Sequence, residues 1–158
     1  MTIQEIASWG FEMDAAAHQR LAAFVEALLD ENTRVNLTAI RNPPDTWALH
    51  VCDSLALAAM LGESGAASLV DIGSGGGAPA IPIACVAPQM RIVAIDRVGK
   101  KVDAIRRICD RVGLTNVKAY HGRAEDLAHQ PGLREQFDAV TARAVAPLPT
   151  VLEYAAGF

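Results

Sequence analysis

The run Asp71-Ile72-Gly73-Ser74-Gly75-Gly76-Gly77-Ala78-Pro79 places four glycines between an apolar segment and a stretch able to start a helix. Glycine accepts positive φ and lets a ligand lie against bare backbone amides, while a helix N-terminus favours a carboxylate or phosphate. Asp96 stands nineteen residues beyond Gly77, closing a second apolar run. A carboxylate there can accept hydrogen bonds from both hydroxyls of a ribose. Glycine turn and displaced acid together describe a site for a nucleoside-bearing cofactor. A tight strand-to-helix turn without a ligand is the plainer alternative, although so many glycines cost backbone entropy without helping the fold. His50 and Asp53, three apart, can share one helix face. They read either as groups near the reacting atoms or as a local pair holding helices on the sheet. Lys100, Arg107 and Arg111 recur on one side of a helix, as a ridge for RNA phosphates or as an ordinary solvated face.

These residues need a scaffold, and the composition supports one. The chain has 158 residues, 51% hydrophobic and 20% charged, which suits one domain with a real core and excludes a disordered tail. No apolar run approaches the roughly 18 residues of a membrane helix. The N-terminus lacks the basic segment and apolar core of a signal peptide, so a cytoplasmic protein with no membrane association is expected. Cys52, Cys85 and Cys109 are odd in number and unclustered, which points to neither a disulfide framework nor a metal site. The formal net charge of −4 hides an asymmetry, because the basic residues concentrate between Arg97 and Arg123. An acidic chain with one basic face remains compatible with nucleic acid.

Leu21, Phe24, Val25, Leu28 and Leu29 recur at three- and four-residue spacing behind Asp14, which predicts a capped amphipathic helix over 14–31. Asn42-Pro43-Pro44-Asp45 predicts the start of a second helix running to about Leu61, with 62–67 as a loop of small residues. From Ser68 the pattern changes to short apolar runs at 69–72, 92–95, 117–120 and 137–142, separated or followed by helical stretches at 79–87, 98–112 and 147–156. In the last but one of these, Val98, Val102, Ile105, Cys109 and Val112 form the expected buried stripe. This βαβ rhythm predicts an α/β fold: a Rossmann-like parallel sheet over 68–158 with an N-terminal helical extension over 1–67 packed on it, as one compact domain. The fourth strand is expected either at an edge, where it invites self-association, or beside further strands outside these residues.

Two cofactor patterns fit the turn. Gly73-x-Gly75-x-x-Ala78 formally satisfies the dinucleotide fingerprint and would admit an NAD-dependent oxidoreductase, whereas Asp71-x-Gly73-x-Gly75-x-Gly77 is the pattern of S-adenosylmethionine-dependent methyltransferases. More of the chain carries a resemblance. Asn36-Leu37-Thr38-Ala39-Ile40-Arg41, His50-x-x-Asp53-Ser54-Leu55, the Asp71–Pro82 turn, Asp96-x-x-x-Lys100-Lys101, Gly122-Arg123-Ala124-Glu125 and Phe137-Asp138-Ala139-Val140-Thr141-Ala142-Arg143-Ala144 resemble, in order, the RsmG (glucose-inhibited division protein B) family of 16S ribosomal RNA guanine-N7 methyltransferases. Glu31 stands where that family often has Trp, and Ala78 and Ala80 where a bulkier residue and Gly are common.

The resemblance implies a class I methyltransferase that takes S-adenosylmethionine and acts on 16S ribosomal RNA or the small subunit. It places cofactor contacts on Gly73, Ala78, Ala124, Glu125 and Arg143, the last to pair with the methionine carboxylate. Asp71, Gly75 and Asp96 join them from the reading of the turn. Guanine N7 has an in-plane lone pair and no hydrogen, so its methylation demands no general base, and positioning supplies the catalysis. His50 and Asp53 are then the weak catalytic candidates. The family continues into further strands, so the resemblance also implies a sheet unfinished at Phe158, and a second reading in which the chain holds cofactor without turnover.

Overall fold

The computed structural model describes residues 1–158. Two short-range signals start the N-terminal layer. Thr2 and Glu5 form a reciprocal capping box that opens α1 (Ile3–Ser8), and the Asp14 carboxylate accepts from the Ala17 amide at 2.6 Å to open α2 (Ala15–Asn32). Asn42 caps α3 (Pro43–Thr46), with proline in its first turn. The second expected helix is then not uniform. Trp47–Cys52 forms a π-helical turn before α4 (Asp53–Ser64) resumes the α pattern. It also runs past Gly62, because the left-handed backbone that ends it falls on Gly65.

The second part is β1 (Ser68–Ile72), α5 (Ala80–Val86), β2 (Arg91–Asp96), α6 (Gly99–Val112), β3 (Val117–His121), α7 (Ala124–Leu127), β4 (Ala139–Ala142) and α8 (Leu148–Ala155). All strand pairs are parallel, in the order β3-β2-β1-β4. Strand β4 starts later than its apolar run suggests because Asp138 serves as a clamp just ahead of it. The Asp138 carboxylate accepts from the Ala67 and Ser68 amides and the Ser68 hydroxyl at 2.8–3.0 Å. That clamp sets the register of β4 against β1, Val70 opposite Val140 and Asp71 opposite Thr141.

Alternation along the strands divides the core. Leu69, Ile92 and Ala94 pack with Ile81, Ile105, Ile108, Phe24 and Leu28 under α2, α5 and α6. Val70, Ile72, Val93 and Ile95 pack on the opposite face with Leu127, Leu133 and Phe158. Fully burying one such side chain is worth about 1.5–3 kcal/mol, so the N-terminal layer is held chiefly by the apolar face of α2, with Leu21 and Phe24 wholly inaccessible. Of the stripe expected on α6, Val102, Ile105, Cys109 and Val112 are buried, but Val98 is 40% exposed because it is the N-cap residue and stands outside the helix.

Candidate functional site

The glycine turn is stitched to the neighbouring strand. The Gly73 and Ser74 amides both donate to the Ile95 carbonyl, at 2.8 and 3.0 Å, and the Gly75 amide donates to Asp96 Oδ2 at 3.0 Å. Asp96 Oδ1 accepts from the Val98 amide at 2.8 Å, so backbone on both sides fixes a carboxylate that is 6% exposed. Each of its oxygens has taken one donor and keeps a second lone pair. Gly73 has φ of 71°, and a Cβ there would lie 2.5 Å from Val145 Cγ2. Glycine is therefore required by the backbone and by the close approach of the loop after β4. At Gly76 a Cβ would come within 2.7 Å of Leu28 Cδ1 and 3.3 Å of Leu37 Cβ, so the segment after α2 lies directly on the turn.

Beside the turn, at the carboxyl ends of the strands, opens a cleft of about 330 Å³. Such ends are where open parallel sheets take their ligands, and a few hundred Å³ suits a small-molecule site. Gly73, Asp96, Ala124 and Glu125 line it together. Gly75 and Ala78 lie along the turn itself, and Asp71 and Arg143 stand behind it. Several lining residues fall outside the sequence expectation: Gly122, Val145, Tyr154, Arg97 and Lys101. Gly122 carries a usable signal, since it follows β3 as Gly73 follows β1. Val145 and Tyr154 carry none, because only tertiary placement brings them there. Ala144, also on the lining, holds φ of 56°, an uncommon backbone for a residue with a Cβ, of the kind that clusters at functional sites.

Asp71 is 1% exposed beneath the turn. Thr141 Oγ1 donates to its Oδ1 at 2.9 Å, while Oδ2 has no hydrogen-bond partner. Burial pushes its carboxyl up to about 6, against the opposing pull of Ser74, Thr141 and Arg143. An orphaned oxygen in a paired sheet is a cost the fold does not need.

Arg143 is not the free guanidinium expected for a carboxylate ligand. Its Nη1 donates to Asp53 Oδ2 at 2.7 Å and to the Leu49 carbonyl at 3.3 Å. Nη2 reaches His50 Nδ1 at 3.0 Å and the Ala78 carbonyl at 3.3 Å. Arg143 thus ties the loop after β4 to the π-helical turn, to α4 and to the end of the glycine turn. His50 Nε2 lies 3.0 Å from Thr38 Oγ1, so both ring nitrogens are engaged and neither faces the cleft as a general base. Desolvation, then the Arg143 cation, hold the His50 pKa below its ordinary value, with Asp53 opposing.

The expected basic ridge is also largely occupied from within. Arg107 forms a two-pronged pair with Glu31 at 3.0 and 2.7 Å, and Arg111 pairs with Asp30 at 3.1 Å. These bonds clamp α6 to α2, and Glu31, one of the departures from the resembled family, is their buried member. The acidic partners are there because α2 docks along that side of α6. Lys100 alone among the three is exposed without an acidic partner.

The site fits a nucleoside carrying a charged tail: an acid with spare lone pairs for a ribose, small and aromatic residues beyond it, and a buried carboxylate with one oxygen unpartnered under a glycine cradle. No group of His, Cys, Asp and Glu side chains could hold a metal ion.

Comparison with known proteins gives the same direction. The family model described as rRNA small subunit methyltransferase G matches residues 17–158. Proteins of that name from a Roseiflexus species and from Desulfitobacterium hafniense are 39% and 38% identical over 154 and 144 residues, or 98% and 91% of this chain. The chain spans 65% and 59% of the length of those two relatives. Among solved structures, an O-methyltransferase from Bacillus cereus in complex with SAH superposes with a TM-score of 0.64 at 22% identity, covering 97% of this chain and 65% of that one. The O-methyltransferase TomG from Streptomyces achromogenes in complex with SAM gives 0.63 at 20% identity, covering 97% and 64%. The likeness to these structures is one of fold.

Proposed function

Because this chain belongs to the rRNA small subunit methyltransferase G family and has the class I methyltransferase fold, we propose that it binds S-adenosylmethionine in the cleft beside the glycine turn and serves methyl transfer to guanine N7 in small-subunit ribosomal RNA. The observation that carries the reading is Asp96, a buried carboxylate held by the Gly75 and Val98 amides with one lone pair free on each oxygen. Asp96 receives the ribose hydroxyls, and Ala124 and Glu125 border the base. Gly73, Gly75 and Ala78 form the cradle, with Asp71 as the negative charge beneath it and Arg143 as the positive charge behind it.

When bound, the cofactor supplies a methyl group on an electrophilic sulfonium. Guanine N7 would take that methyl on its own lone pair, the carbon–sulfur bond electrons returning to sulfur, and it carries no hydrogen to lose, so no side chain has to act as base. The engagement of both His50 nitrogens accords with that requirement. The work left to the protein is alignment of the donor with the incoming base, and exclusion of water. Exposed Arg97 and half-buried Lys101 on the cleft lining, together with exposed Lys100 on α6, would meet RNA phosphates. The outer edge of β4 has no strand beside it and supports self-association as a further proposal.

The test is incubation with methyl-labelled S-adenosylmethionine and either naked 16S ribosomal RNA or 30S subunits, followed by mapping of 7-methylguanine through borohydride and aniline cleavage. Label in RNA with cleavage at one guanine is expected. Label on an exocyclic nitrogen or ribose would overturn the N7 assignment. A chain that binds the cofactor and labels neither substrate would favour the second reading, a cofactor-holding unit.

A further inference from the structure

We infer that His50 is a positioning residue, which holds Arg143 over the end of the glycine turn through an unprotonated ring and so ties the cofactor site to the N-terminal layer. A guanidinium can only donate, so the 3.0 Å contact between Arg143 Nη2 and His50 Nδ1 requires a lone pair on Nδ1. The proton must then sit on Nε2, where Thr38 Oγ1 accepts it at 3.0 Å. Thr38 is itself fixed by buried Asn32, whose Oδ1 accepts from the Leu37 and Thr38 amides at 2.8 and 3.0 Å and whose Nδ2 donates to the Thr38 and Ile40 carbonyls. One unbroken chain of hydrogen bonds therefore runs from α2 through Thr38 and His50 to Arg143 and the Ala78 carbonyl. The ring is carried on a π-helical turn, a geometry frequent at functional sites.

The charged groups around the ring set the sense of the effect. Arg143 approaches from the loop after β4, Asp53 from α4, and Asp71 from β1 on the far side of Arg143. Thr38, from the N-terminal segment, is neutral. Protonating His50 replaces an acceptor with a donor and sets a second cation against the guanidinium, with Asp53 left to hold both. Arg143 then lets go of the turn.

The inference rests on the proposed cofactor reading, and the test separates the two. Binding of S-adenosylmethionine is measured by calorimetry at about pH 7.5 and about pH 5.5 for wild type, His50→Asn and His50→Ala, with circular dichroism to establish folding. The Asn oxygen takes the place of Nδ1 as acceptor and cannot be protonated. Asp71 titrates in the same range in every variant, so the difference between wild type and His50→Asn isolates the ring. Between the two pH values wild type is expected to lose more affinity than His50→Asn, and at the higher pH His50→Ala binds about fivefold more weakly than either. Nitrogen NMR of the ring in the free protein should show the Nε2–H tautomer. Equal pH profiles for wild type and His50→Asn, or an Nδ1–H tautomer, would overturn the inference while leaving the cofactor reading intact. Wild type that binds no S-adenosylmethionine at either pH would overturn both.

Discussion

Replacing Asp71 with Asn removes a charge that the fold holds at a cost, and the size of that cost can be worked out. The carboxyl lies under the glycine turn with Oδ2 unpartnered, and burial raises it from the ordinary 3.8 to about 6. A raised acid favours its neutral form on folding. That advantage is fully present below pH 3.8 and is lost as the pH rises through about 6, where the folded chain must carry a buried carboxylate. The gap corresponds to about 3 kcal/mol. Asn keeps the oxygen that accepts from Thr141 and carries no charge. Urea unfolding of wild type and Asp71→Asn should therefore give near-equal stabilities at about pH 4 and a variant more stable by about 3 kcal/mol at about pH 7.5. The same variant should bind S-adenosylmethionine more weakly, the trade-off expected of a residue kept for a site. An advantage independent of pH, or a less stable variant at about pH 7.5, would refute the picture of an uncompensated buried charge.

Gly73→Ala should cost about 2 kcal/mol or more in chemical unfolding, from the positive φ and the 2.5 Å approach of Val145 Cγ2; adding Val145→Ala should recover the steric part only, and full recovery would contradict the backbone argument. Asn32→Ala removes four hydrogen bonds from a residue 4% exposed and should cost about 2–4 kcal/mol by the same measurement, with a near-neutral result ruling out Asn32 as the organiser of the Leu37–Ile40 segment. Arg107→Glu should destabilise the chain by at least about 1 kcal/mol, because it leaves buried Glu31 facing another acid, whereas Lys100→Glu should stay within about 0.5 kcal/mol of wild type. Arg107 holds the Glu31 carboxyl below its ordinary 4.5, so the wild-type pair contributes its full stability above that value and loses it as the pH falls through the lower folded one. A pH scan of thermal melting for wild type and Arg107→Ala reads that difference, and superimposable curves would count against the pair.

What can be read from the sequence is whatever local chemistry decides. Asp14 and Asn42 each act on amides three residues away, so their helices start where capping rules place them. The glycine turn and Asp96 end adjacent parallel strands, and their spacing in the chain reflects one βαβ unit. The π-helical turn is not legible, since Trp47-Ala48-Leu49-His50-Val51-Cys52 reads as ordinary helix and Arg143, which bonds to its Leu49 carbonyl and His50 ring, lies ninety-three residues beyond His50. The partners of Arg107 and Arg111 are not legible for a related reason. Periodicity tells which side of α6 faces away from the sheet, and says nothing of a second helix lying along that side with Asp30 and Glu31. Arg143 is pointed to by the family resemblance, and its bonding is not legible because His50 and Asp53 lie on a different layer.

The most direct test of the account is a calorimetric titration of the purified chain with S-adenosylmethionine and, separately, with NAD, repeated on Asp96→Ala. Saturable 1:1 binding of S-adenosylmethionine is expected, with none of NAD, and at least about tenfold weaker binding in the variant, about 1.4 kcal/mol, for the loss of a carboxylate that takes both ribose hydroxyls. Unchanged affinity in a folded Asp96→Ala, or preference for NAD, would contradict it.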